Sequence, residues 1–225
     1  MKIGLLIIAT NKYTTFLQQL ISSADKFFCN NHEVTYFIFT NKYIKIDSIR
    51  NIVKIYAEHK EWPWMTLGRY KIFSEESNRL SNMDYLYYSD VDMGFCDFVG
   101  DEILSQRVAT QHPGYFGERG TPETNPLSLA CVLPHEAMQY FAGGFNGGTS
   151  EEYLKMANKI SINIEKDYSR GIIAIWHDES HMNRYFIDNS PTKILEPSYC
   201  YGESMNIPFK RKLVALDKNH SEIRS

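Results

Sequence analysis

The chain has 225 residues, 43% of them apolar and 23% charged, with a formal net charge of -3. A chain of that length and apolar content buries a sizeable core and leaves no room for extended disorder away from the ends. The slight acidity, with no Lys/Arg stripe, excludes the basic footprint that a nucleic-acid backbone requires.

Residues 3–9 form a continuous apolar run of the kind a strand covered on both faces shows, and Thr10, Asn11 and Lys12 break it before an amphipathic stretch over 13–28. This β-α start is too short in its apolar part for a signal sequence, and no segment has the length to span a bilayer. The sequence is therefore read as soluble, without a membrane anchor, and cytoplasmic. Cys29, Cys96, Cys131 and Cys200 are widely spaced and form no C-x-x-C pair, which fits free thiols rather than a zinc knuckle or redox motif.

Further along, 34–40 is a strong strand, 52–56 a weaker one, and 66–80 a helix before the aromatic strand that starts at Tyr85. That strand empties into Asp90-Val91-Asp92. Asp-x-Asp at a strand end is ordinary turn chemistry on its own, because Asp hydrogen-bonds its own backbone. The second reading is a seat for Mn²⁺ or Mg²⁺ bridging phosphates, which needs the chain to turn so that both carboxylates face one ligand. Alternating strands and helices argue for an α/β fold with a mostly parallel sheet, in which ligands sit beyond the carboxyl ends of strands, at Thr10, Thr40 and the aspartate pair.

The second half is more irregular. Loops are marked by His112-Pro113-Gly114 and Thr121-Pro122, and 142–148 is a glycine-dense turn region ahead of a helix over 150–164. Ala142, Gly143 and Gly144 remove side chains where something approaches the backbone, or simply serve a turn. In Trp176-His177-Asp178-Glu179-Ser180-His181, Asp178 reads as a helix N-cap. Glu179 reads either as first-turn dipole pairing or as a carboxylate that supports or attacks an oxocarbenium-like centre. His177 and His181 at i, i+4 lack a clear third ligand. From Lys212 onward the sequence reads as a basic tail.

Taken in order, these motifs resemble the glycosyltransferase family of the histo-blood-group A and B transferases, the α-1,3-galactosyltransferase and the Forssman synthase. The resemblance rests on Tyr36-Phe37-Ile38-Phe39-Thr40, Asp90-Val91-Asp92-Met93, Val99-Gly100-Asp101-Glu102-Ile103-Leu104 and Thr110-Gln111-His112-Pro113-Gly114-Tyr115-Phe116-Gly117. Trp176 to Tyr185, Pro191-Thr192-Lys193-Ile194-Leu195 and Lys218-Asn219-His220 continue it.

The resemblance implies a GT-A-type single domain over 1–225, with 212–225 as a closing tail. It also implies retaining α-1,3 transfer of N-acetylgalactosamine, or galactose, from a UDP donor to the 3-hydroxyl of a β-galactoside glycan. By the family's motif positions Asp90 and Asp92 hold the metal and diphosphate, and Glu179 is the catalytic carboxylate, also facing the acceptor. Asp178 and Arg69 bind the donor. Ile8, Ala9, Thr10, Tyr13 and Val91 surround the nucleoside, while Lys218 and Arg224 close over the diphosphate. His112, Thr121 and Trp176 match acceptor contacts, although the family's Tyr-Glu-Arg-Arg run is not retained around Glu123. Ala142, Gly143 and Gly144 occupy the segment that sets donor preference, and their small size favours the acetamido sugar. Many bacterial relatives carry asparagine at both aspartate positions and work without metal, so retention of the pair implies metal dependence. Two other readings are a non-catalytic galactoside-binding protein on this scaffold and a metal-dependent nucleotide-sugar hydrolase.

Overall fold

The structure, a computed structural model, describes residues 1–136 and 139–224, apart from the side chains of His220 and Arg224. The first β-α-β passage runs through β1 (Lys2–Ile8), α1 (Leu17–Phe27), β2 (Glu33–Thr40) and β3 (Asn51–Tyr56). Three short helices follow, α2 (Trp64–Leu67), α3 (Arg69–Glu75) and α4 (Ser77–Leu80), leading to β4 (Tyr85–Ser89) and β5 (Met93–Phe95). The rest comprises β6 (Arg107–Gln111), β7 (Phe141–Thr149), α5 (Ser150–Ser169), α6 (His177–Asp188), β8 (Lys193–Leu195), β9 (Tyr201–Gly202), β10 (Leu213–Ala215) and α7 (His220–Arg224).

Seven strands form one sheet in the order β3-β2-β1-β4-β7-β6-β8. The pairs β1–β2, β2–β3, β1–β4 and β6–β8 are parallel, whereas β7 runs antiparallel to both β4 and β6. The fold is thus α/β, with a mixed central sheet flanked by helices. Alternation along the strands explains its two cores. Leu5, Ile7, Tyr36, Ile38 and Tyr87 face α1, while Leu6, Phe37, Phe39, Leu86 and Tyr88 face α3, α5 and α6. Each large side chain fully buried this way contributes about 1.5–3 kcal/mol.

From β1 the chain builds outward to β2 and β3 on one side, then crosses to β4 on the other. The carboxyl ends of β1 and β4 therefore meet at a switch point, where a crevice forms outside the sheet. Residues 91–92 form the turn that Asp90 and Asp92 require, and β5 continues into a small sheet ordered β5-β10-β9.

Several elements differ from the sequence expectation. The stretch 13–28 opens with a 3-10 turn, Asn11–Phe16, before α1. The helix expected over 66–80 is broken at Gly68 and Glu76, and glycine is a poor helix interior residue. The glycine-dense stretch is not a turn region but part of β7, buried in the middle of the sheet. There Gly147 lies opposite Tyr87, whose ring occupies the space a Cβ would take, so packing overrides strand propensity. Residues 213–215, expected in the tail, form β10 by pairing antiparallel with β5.

Candidate active site

The crevice at the switch point is a cavity of about 420 Å³. The ends of β1 and β4 supply Ile8, Thr10, Asp90, Val91 and Asp92, and the 3-10 turn after β1 adds Tyr13. From the facing elements come Arg69, Gly143, Gly144, Trp176, Asp178 and Glu179, with Lys218 from the C-terminal segment.

Arg69 is the hub. Burial leaves it 8% exposed, and its three nitrogens reach three elements. Nη1 donates to Gly143 O at 2.9 Å, Nη2 lies 3.4 Å from Asp90 Oδ1, and Nε lies 3.1 Å from Asp178 Oδ2. The guanidinium stacks 4.1 Å from the Tyr88 ring centre, and the Tyr88 hydroxyl donates to Asp90 Oδ1 at 2.5 Å. Backbone register completes the arrangement, because Asp90 N donates to Gly144 O at 2.9 Å just beyond the β4–β7 ladder.

Helix α6 begins at His177, whose φ of 53° lies in the left-handed region. Trp176, not Asp178, is its N-cap residue, so the capping reading of Asp178 is corrected. Asp178 sits in the first turn with its carboxylate turned into the fold toward Arg69. That pairing lacks hydrogen-bond alignment, and Asp178 Oδ2 is left as a buried acceptor without a hydrogen-bond partner. Burial pushes the Asp178 carboxyl up to about 6 against the opposing attraction of Arg69.

One residue on, Glu179 Oε2 accepts the Gly143 N–H at 2.7 Å. Burial pushes its carboxyl up to about 7, and the Gly143 N–H opposes that rise by favouring the ionised form. A Cβ at Gly143 would stand 3.3 Å from Glu179 Oε2 and 3.6 Å from Arg69 Nη1, so the bare backbone here lets both side chains close on β7.

The C-terminal segment reaches the aspartates through β10. Leu216 N donates to Asp92 O at 2.9 Å, and two residues later Lys218 Nζ forms an ion pair with Asp92 Oδ2. Lys218 also lies 5.3 Å from the Tyr13 ring centre. Arg224 lies outside the residues whose side chains are described.

Other predicted residues stand elsewhere. Ala9 is buried in the core below Thr10, and Ala142 is buried in β7 opposite Thr110. Neither lines the cavity. Thr121 is exposed and accepts from Trp176 Nε1 at 2.9 Å, beside the rim. His112 Nδ1 accepts from Gly114 N at 3.1 Å, and its ring packs on Tyr115 and Tyr140. Burial holds the His112 pKa below its ordinary value. His177 lines the cavity with its ring 5.0 Å from Trp62, whereas His181 is buried beside Asp167, Nε2 to Oδ2 at 3.7 Å. The two histidines therefore do not converge.

Sequence reasoning did not select His59 and Lys60, which also line the cavity. His59 Nδ1 shares a hydrogen bond with Thr10 Oγ1 at 2.9 Å. Neither residue belongs to a motif or a periodic element in the sequence, so no local signal marked them.

Among the described residues no group of three or more His, Cys, Asp or Glu side chains is arranged to hold a metal ion. Asp90 and Asp92 still fit Mg²⁺-like chemistry, because such ions commonly bind through one or two carboxylates and take the remaining ligands from water and substrate phosphates. Both carboxylates line the cavity, and the cationic group of Lys218 already sits on one of them.

A mixed α/β sheet with a carboxylate-lined crevice at its switch point defines a GT-A-like glycosyltransferase scaffold. The chain belongs to glycosyltransferase family 6, which it matches over residues 1–225. It is 34% identical to histo-blood group ABO system transferase 1 of Rattus norvegicus, over 99% of this chain and 68% of that protein. It is 33% identical to globoside alpha-1,3-N-acetylgalactosaminyltransferase 1 of Canis lupus familiaris, over 99% and 68% respectively. Glycosyltransferase 6 domain-containing protein 1 of Mus musculus is 29% identical over 92% of this chain and 70% of its own length. No described helix is long and apolar enough to cross a membrane.

Proposed function

We propose that this protein is a retaining α-1,3-glycosyltransferase that moves N-acetylgalactosamine, or galactose, from UDP to the 3-hydroxyl of a β-galactoside, as a single catalytic domain. The observation that carries this reading is Glu179: a carboxylate held by the Gly143 N–H inside the same cavity as the Asp90/Asp92 pair. One end of the cavity suits a departing diphosphate and the other a sugar carbon that becomes electron-poor as the diphosphate leaves.

In this reading Asp90 and Asp92 would hold a divalent cation, Mn²⁺ or Mg²⁺, and the chemistry it would supply there is positive charge to offset a leaving diphosphate. Lys218 adds a second positive charge on the same side. Asp178 Oδ2, buried and short of a hydrogen-bond partner, accepts from a donor-sugar hydroxyl, and Arg69 fixes that carboxylate against β7. Glu179 supports the anomeric carbon from the face opposite the diphosphate, and the acceptor hydroxyl enters from the leaving-group side. Trp176 and Thr121 form the acceptor wall, with His112 farther along.

The small residues of β7 and the name of the globoside relative favour N-acetylgalactosamine as the sugar moved. The test is UDP release from UDP-N-acetylgalactosamine and from UDP-galactose over a panel of β-galactosides, with and without Mn²⁺. Transfer that depends on both galactoside and metal is expected. UDP release that ignores added galactoside marks a nucleotide-sugar hydrolase instead, and galactoside binding without UDP release marks a binding protein. Glu179→Gln is expected to cut transfer by about a thousandfold or more while UDP still binds, because only transition-state support is removed.

A further inference from the structure

Between β6 and β7 the chain travels from residue 112 to 140 with a single 3-10 turn, Pro113–Tyr115, as its only helix or strand among the described residues. Long irregular connections inside a compact fold are either disordered or functional. This one is tied down by a buried carboxylate. Glu123 is 8% exposed, and its two oxygens point in different directions: Oε1 accepts Asn125 N at 2.7 Å, and Oε2 accepts Ile175 N at 2.8 Å. Its own carbonyl accepts Val132 N at 2.8 Å, which closes the connection on itself.

The bond to Ile175 crosses to a different part of the chain, the segment that enters α6. The next residue there is Trp176, and its indole Nε1 donates to Thr121 Oγ1 at 2.9 Å, two residues before Glu123. The result is a closed ring: Thr121, Pro122, Glu123, across to Ile175, along to Trp176, and back to Thr121. Three residues beyond Trp176 is Glu179. The rim of the cavity and the far connection are thereby locked in one register by one inward hydrogen bond and one outward one.

We propose that Glu123 is a positioning residue that sets the orientation of the Trp176 indole and Thr121, and so the binding of the galactoside acceptor, without touching donor or acceptor itself. The proposal rests on the transferase reading. A carboxylate suits the position because both bonds run from backbone N–H donors to acceptor-only oxygens. Glutamine of the same shape offers one oxygen and one NH₂ group, so Glu123→Gln keeps one bond and sets donor against donor at the other.

The experiment has a kinetic arm and a turnover-free arm. In E123Q the acceptor KM is expected to rise about tenfold, the scale of one lost hydrogen bond to a charged group, while donor KM and UDP affinity stay within about twofold. In ¹H–¹⁵N spectra the Trp176 indole N–H signal, assigned by its disappearance in Trp176→Phe, is expected to shift and to lose protection from solvent exchange. Thr121→Val removes the indole's acceptor, together with the weaker bond that Thr121 Oγ1 donates to the Tyr115 hydroxyl at 3.3 Å, and it is expected to reproduce the shift and loss of protection of the indole signal. An E123Q protein that folds with unchanged acceptor KM and an unchanged indole signal overturns the proposal. So does one in which donor and acceptor constants deteriorate together, the mark of a merely structural role. Should E123Q fail to fold, a Trp176 indole signal in Thr121→Val with unchanged position and unchanged solvent protection overturns it. Wild-type protein with no transfer to galactosides sinks the transferase reading, while the indole measurement still decides whether the ring exists.

Discussion

Replacing Arg69 by Met keeps most of the side-chain volume and removes the guanidinium that joins Asp178, Asp90 and Gly143. The Asp178 carboxyl, ordinarily at 3.8, is pushed to about 6 because burial outweighs the attraction of Arg69. A carboxyl raised on folding keeps its proton in the folded chain where the unfolded chain has lost it. Its contribution to stability is therefore full below about 3.8 and is lost as pH rises through about 6. In the wild type that loss is on the order of 3 kcal/mol, from a difference of about two pKa units at about 1.4 kcal/mol each. Taking Arg69 away removes the cation whose attraction limits it. Breaking a buried ion pair from one side costs about 3–5 kcal/mol, and the cost requires Asp178 to be charged. Urea unfolding followed by tryptophan fluorescence should therefore show Arg69→Met destabilised by about 3 kcal/mol or more near pH 8 and markedly less near pH 5. The double variant Arg69→Met/Asp178→Asn should recover more than half of the loss near pH 8. A loss below about 1 kcal/mol near pH 8, or one equal at both pH values, would refute the claim that Arg69 neutralises a buried charge.

Three further expectations concern separate parts of the site. In the proposed role Glu179, whose carboxyl burial pushes up to about 7, acts in its ionised form, so kcat/KM for the donor should climb as pH rises through about 7 and level off above it; a profile flat from pH 5 to 8 contradicts that role. Lys218→Met removes the protein's own cation from Asp92, so Mn²⁺ measured by electron paramagnetic resonance without nucleotide should bind about three- to tenfold more tightly; unchanged or weaker binding excludes competition between Lys218 and the metal. Gly147→Ala would put a Cβ 2.6 Å from Leu86 O and into the Tyr87 ring, and should cost about 4 kcal/mol or more in urea unfolding. A loss under about 1 kcal/mol would mean that β7 shifts to accommodate the methyl group.

The parts of this fold written locally were legible in the sequence. Ile3 to Ile8 and Val34 to Thr40 are apolar runs that pair in register as a buried parallel ladder, and Thr10 and Asp90 follow their strands as the α/β rule requires. Asp178 and Glu179 stood out as adjacent carboxylates, and the family resemblance gave each a role to test. What stayed hidden was set by partners distant in sequence. Glycine content made 142–148 read as a turn, whereas its strand character comes from Tyr87 packing across the missing Cβ of Gly147. Arg69 matched a donor-binding position, but its neutralising of Asp178 depends on α3 and α6 meeting over β7. Glu123 carried no local signal at all, since its partner at Ile175 is fifty-two positions away. Lys218 drew attention only through the resemblance, because its place on Asp92 follows from the antiparallel pairing of β10 with β5.

That pairing has a practical consequence for handling the protein. The strand that directly follows Asp92 is completed on one edge by residues 213–215, and Leu216 bonds the Asp92 carbonyl itself. Cutting the chain before residue 213, or loading its C-terminal end with a purification handle, would work directly on the loop that holds the two aspartates. Affinity sequences and surface-coupling groups are better attached at Met1, whose side chain is exposed at the opposite end of β1 from Thr10.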